Sequence, residues 1–220
     1  MFRLIDRLRA DTWCCLFVIY LRYLIGGAFV YAGWGKFWGG RFMPAGTLSV
    51  PPEGALPIDL FFEVLYRSGI WWQFLGGGQV LAGALLLTQR FAALGAVMFL
   101  PVSLNIFIIT ISMDFHGTPL ITGLLVLANL GLLLWDYRRF GPLVSPNVST
   151  QHTMDLPSDQ LGWPRYWLGL GALLLLSSLS FGNRESPIGW FMVSVLAGLA
   201  GLCGYWVLQR RQSGRAVQSK

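Results

Sequence analysis

The sequence predicts an all-α integral membrane protein, and three observations carry the prediction. Hydrophobic residues make up 55% of the chain and charged ones 12%, where soluble domains carry about a quarter charged. Six segments stay apolar over the ~20 residues that a helix needs to cross a bilayer. The basic residues gather in the loops on one side of those segments, as topology demands of a multi-pass chain.

The first segment runs from Cys14 to Gly35, behind Arg3, Arg7 and Arg9. It begins like a signal peptide but is too long and has no small-residue cleavage site, so it reads as a retained signal anchor. The stretch from Lys36 to Gly69 opens on Gly and Pro punctuation. From Leu56 to Tyr66 it turns amphipathic, as a helix lying in the membrane interface would, and Trp71 and Trp72 follow in the expected aromatic belt.

Three further spans follow, from Ile70 to Thr88, Phe91 to Met113 and Thr118 to Trp135. Residues 141–163 are polar, hold Pro142, Pro146 and Pro157, and read as a linker that carries His152 in solvent. Two last spans, Arg165 to Phe181 and Ile188 to Leu208, complete the chain. With the N-terminus in the cytoplasm, only Lys36, Arg41, Arg67 and Arg184 among the loop cations fall outside. The expectation is therefore a four-helix unit over 1–140, a cytoplasmic linker over 141–163 and a two-helix extension over 164–220, with both termini cytoplasmic.

Polar side chains inside a bilayer are costly and mark packing or function. Arg22, Gly26, Phe29, Gly33 and Lys36 share one face of the first helix, and Trp72, Gly76, Gln79 and Gly83 share one of the second. Counted from the cytoplasmic helix ends, Arg22, Gln79 and Asn129 fall at about one depth, with Asp136 below them as the nearest acid. They form the primary candidate site. A structural reading lets Arg22 snorkel to Asp136 or to lipid phosphate; a functional one gives the cluster an anionic or carbonyl-bearing ligand, or a polar group of a partner subunit.

Secondary candidates are Lys36, which Glu63 could pair, Asn105 one turn from Pro101, and Asp114 with His116. The last two would serve either as a proton relay or as solvated helix caps. Gly198, Gly201 and Gly204 predict close helix packing, an oligomer interface included. Cys14, Cys15 and Cys203 form no metal or redox motif and read as buried filler.

A net charge of +6 is spread over loops without a basic stripe, so nucleic acid is not a partner; the partner that composition demands is the lipid bilayer. No nucleophile–base pair, nucleotide loop or metal cluster is visible, and no internal repeat points to a transporter.

The run Arg22-Tyr-Leu-Ile-Gly-Gly-Ala-Phe-Val-Tyr-Ala-Gly-Trp-Gly-Lys36 resembles the first-helix signature of the DoxX/DoxD superfamily. Gly76-Gly-Gly-Gln-Val-Leu-Ala-Gly, running on to the basic turn at Arg90, resembles that family's glycine-rich second helix. The resemblance covers residues 18–140. It implies a DoxX-like four-helix transmembrane bundle in a bacterial inner membrane, acting as an accessory subunit of a membrane redox system that binds quinone or a redox partner. A structural or chaperone-like role is the alternative. The family usually carries glutamate where Gln79 stands, and that departure weakens any proton-coupled role.

Overall fold

A computed structural model describes residues 2–41, 57–144, 156–182 and 186–218, and among these every regular element is a helix. In chain order they are α1 (Phe2–Arg9), α2 (Thr12–Phe37), α3 (Pro57–Arg67), α4 (Ile70–Leu87), α5 (Ala92–Ser112), α6 (Thr118–Trp135), α7 (Tyr137–Val144), α8 (Pro157–Gln160), α9 (Pro164–Phe181) and α10 (Pro187–Gln218). Five of them, α2, α4, α5, α6 and α10, are long and apolar enough to cross a membrane, which makes the chain a multi-pass membrane protein. The sequence predicts a sixth span at α9. Pro164, Arg165 and Tyr166 open that helix and lower its apolarity, yet it packs against α2, α4 and α10 like its neighbours.

Burial ranks the helices. The share of each span covered by protein falls from 61% in α2 to 11% in α10, so α2 is the central post and α10 the lipid-facing periphery. Lipid tails are as apolar as leucine, so helices in a bilayer are held by close packing and polar contacts rather than by escape from water. The α2–α4 seam supplies the close packing. A Cβ added to Gly83 would lie 2.6 Å from the Gly26 carbonyl oxygen, and one added to Gly76 would lie 2.7 Å from that of Gly33. Behind this seam, Phe29 meets Phe99 of α5 edge to face at 4.2 Å between ring centres.

The C-terminal helices share this core and do not form a separate body. Trp167, Leu170 and Leu174 of α9 are buried with Ile19 and Tyr23 of α2. Tyr20 donates its hydroxyl to the Gly198 carbonyl at 2.7 Å and Tyr166 donates to that of Gly201. The predicted glycine stripe of α10 is therefore occupied within the chain, where the sequence left an oligomer interface open.

The segment predicted as a linker contains helix at both of its described ends. Residues 141–144 continue α7, and Pro157 and Ser158 of α8 are buried against the bundle. His152 lies outside the described residues. The amphipathic segment forms α3, as expected. Two short amphipathic helices, α1 and α7, stand where the sequence suggested only charged flanks.

Replacing Gly83 with alanine is expected to force α2 and α4 apart and to destabilise the protein by about 1–3 kcal/mol, read as a lower thermal midpoint in detergent. A Cβ at Gly78 of the same helix meets nothing within 4 Å, so Gly78→Ala leaves the midpoint unchanged or slightly raised. Equal losses at both positions would show that this seam does not limit stability.

Candidate functional site

The polar residues that the sequence groups at one depth do not share a site: Arg22 and Gln79 lie toward opposite ends of the bundle, and Asn129 joins neither. The glycine contacts set the register of α2 against antiparallel α4, and they place Gln79 against Gly33, about 16 Å along α2 from Arg22. Counting from helix ends misplaced Gln79 because those ends are not flush: α2 runs on to Thr12, well past the level at which α4 stops at Leu87.

At the end carrying the chain termini, Arg22 is fully buried and donates Nη2 to Asp136 Oδ2 at 2.6 Å. Its Nη1 donates to Gln89 Oε1 at 3.1 Å. Asp136 terminates α6, and its second oxygen lies 3.7 Å from Arg139 in the first turn of α7. Gln89 sits in the α4–α5 turn with φ of 59°, a left-handed conformation unusual for any residue but glycine. The sequence reading missed Gln89, although an amide between two apolar helices was a signal that it had work besides solvation.

This group is a closed ion pair. It ties α2 to the α4–α5 turn and to α6, with both charged groups buried. Asn129 belongs to neither end. Also fully buried, it donates Nδ2 to the Ala96 carbonyl at 3.2 Å, tying α6 to α5, as does the 2.8 Å bond between Thr110 and Thr122.

At the other end the geometry is open. Lys36 donates Nζ to Gln79 Oε1 at 3.0 Å and lies 5.5 Å from the centre of the Trp72 ring. Both groups face a cavity of about 550 Å³ enclosed by the last turn of α2 and by α3, α4, α5 and the start of α6. Phe61 and Phe62 of α3, Trp71 of α4 and Ile106 of α5 make most of its wall apolar. Asn105 stands at an exposed rim beside Pro101. Lys36 is the one ionisable side chain on the described lining.

Glu63 pairs with Arg41 at 3.4 Å and Arg67 at 2.8 Å, where the sequence offered it to Lys36. Arg41 also covers the Tyr66 ring at 4.6 Å. The two Arg41 contacts tie α3 to the chain just beyond α2, over the cavity, while the Arg67 pair lies within α3 itself. Asp114 and His116 are exposed in a tight turn with positive φ at both, and Phe115 between them is the residue that reaches the cavity. The described residues hold no cluster of metal-ligating groups. Of the cysteines, Cys15 is buried and donates its thiol toward Gln160 Oε1, Cys14 is half-buried, and Cys203 is exposed on α10.

No family model and no solved structure matches the chain. A curated relative, the uncharacterized protein YwoB of Bacillus subtilis (strain 168), is 43% identical over 74 residues, 33% of this chain and 47% of that protein. The chain thus spans about half the length of the curated relative it matches.

Removing one partner of a buried pair leaves the other as an uncompensated charge. Asp136→Ala is accordingly expected to cost about 3–5 kcal/mol, while the double variant R22M/D136L recovers most of that loss. A double variant as unstable as the single one would show that more than charge compensation is at stake. The same end offers a pH test. Burial works against the Asp6 carboxylate, but hydrogen bonds from Arg138 and Tyr137 outweigh it and hold the carboxyl below its usual value. A depressed acid stabilises the fold above its unfolded pKa of about 4 and stops doing so as pH falls through the folded value. The protection of α1 amides, taken relative to their intrinsic exchange rate at each pH, should therefore fall below about pH 4, and Asp6→Asn should show the lower protection at every pH.

Proposed function

We propose that this chain is a non-catalytic membrane subunit, DoxX-like in its first four spans, that holds a quinone-class molecule in the cavity beneath α3. One observation supports the reading above others. An apolar cavity within the span of a lipid-exposed bundle carries an ammonium and two amides, those of Lys36, Gln79 and Asn105. A quinone ring presents carbonyl oxygens that accept from such donors, and its flat apolar body suits walls of Phe61, Phe62 and Trp71. The volume lies within the range of about 300–1,000 Å³ typical of small-molecule sites. A neutral headgroup also avoids the cost of burying an unpaired anion.

The ligand contacts in this reading are Lys36, Gln79 and Asn105, with Phe115 closing the floor. Arg22, Asp136 and Asn129 move to the scaffold. Electron transfer belongs, on this reading, to a partner subunit. On this reading both termini are cytoplasmic and the cavity lies in the outer half of a bacterial inner membrane, with α9 as the sixth span; the positive-inside distribution of the loop cations supports it.

A purely structural or chaperone-like role is the second reading, and the enclosed Arg22–Asp136 pair favours it, since that pair performs its whole visible task inside the fold.

Extraction of the protein purified gently from its own membrane separates the two. On the quinone reading, wild-type protein carries about one quinone per chain, and Lys36→Met and Gln79→Leu each lower the content at least tenfold without lowering the thermal midpoint. Equal and trace quinone in all three proteins would remove the ligand reading and leave the structural one.

A further inference from the structure

The end of the bundle opposite the cavity carries a charge imbalance that the fold does not resolve. Three guanidiniums converge on the single carboxylate of Asp136. Arg22 lies at 2.6 Å, Arg139 at 3.7 Å, and Arg9 is close enough to feel its charge while donating to the carbonyl of Trp135. Two of the three, Arg9 and Arg22, are buried to nine-tenths or more, and the Nε of each has no hydrogen-bond partner. Among the described residues the other acids at this end are engaged or remote: Asp6 holds Arg138 at 2.7 Å, Asp11 caps α2 through the Cys14 amide, and Asp159 is exposed on α8.

An excess of positive charge beside hydrocarbon is unfavourable unless an anion meets it. The buried arginines offer no route in, but the rim does. Arg139 donates to the backbone carbonyl of Arg90 at 3.2 Å, bringing α7 onto the α4–α5 turn, so the exposed Arg90 and the partly exposed Arg139 share this rim, with the partly exposed Arg138 next to Arg139 on α7 and held by Asp6 of α1. The amphipathic α1 and α7 flank this corner, where helices of their kind settle among headgroups.

We propose that the corner formed by α1, α7 and the α4–α5 turn is a binding site for an anionic phospholipid, whose phosphate is met by Arg90, Arg138 and Arg139. The lipid neutralises the excess that Arg9 and Arg22 bring to Asp136. It also fixes the arginine end of the bundle at the level of the headgroups. The inference is independent of what the cavity holds.

The test is native mass spectrometry of the full chain from nanodiscs of equal phosphatidylglycerol and phosphatidylcholine. Arg90→Gln removes an exposed cation whose side chain makes no hydrogen bond the fold uses, and it should lower the retained glycerol-to-choline lipid ratio about fivefold. The double variant R90Q/R139Q should lower it further. A control of matched charge, R210Q/R211Q at the exposed end of α10, should leave the ratio unchanged, because a general attraction for an anionic surface would respond to any of these cations alike. Equal loss in the control and the R90Q/R139Q variant, or no loss in either, overturns the proposal. So does full displacement of phosphatidylglycerol by millimolar inorganic phosphate, which would mark a site for the free anion.

Discussion

Two pairs of glycines, Gly26 with Gly83 and Gly33 with Gly76, let the backbones of α2 and α4 touch, and the rest of the structure is arranged around that contact. It fixes the register of the two antiparallel helices to within a residue, since a shift along either axis would drive a side chain into a carbonyl. Because α2 carries the buried Arg22 and the half-buried Lys36, the register decides what each one meets. Arg22 is delivered to the α4–α5 turn and the end of α6, and Lys36 to Gln79. A bilayer supplies no water to correct an error, so the steric match has to come first.

The same contact explains why two similar-looking cations differ so much. Arg22 meets an acid at a helix terminus and is enclosed by it. Lys36 meets an amide, which satisfies a hydrogen bond but leaves the charge in place, and it does so at the edge of a cavity. One cation is enclosed among helix ends; the other lines a space. The salt bridge from Glu63 to Arg41 ties α3 to the chain beyond α2, so the cover of the cavity is fastened by charges that do not enter it.

Much of the architecture was legible in the sequence, because the bilayer imposes a length and a composition on each span. The boundaries of α4, α5 and α6 fall within a residue or two of the apolar runs, and α3 follows from its own periodicity. The polar cluster was not legible. Residue counts give depth only if helix ends are level, and the offset between α2 and α4 depends on glycine packing, a tertiary fact. Gln89 was hidden for a related reason: its role rests on a turn geometry that nothing in Thr88-Gln89-Arg90 announces. The short α1 and α7 were obscured by their arginines, which suggest solvated flanks until Asp6, Trp135 and Tyr137 are seen to receive them.

The turn at Gln89 has a consequence for how the chain can vary. Its backbone is left-handed, which glycine or asparagine would adopt with less strain, while its side chain must extend far enough into the bundle to accept from Arg22. Glycine would relieve the backbone and abandon the guanidinium; asparagine would be one methylene too short to take the same place. Two demands from different levels of structure thus fall on one position, and few amino acids meet both. Substitution there is confined more tightly than at the apolar positions around it, where one aliphatic side chain can stand in for another.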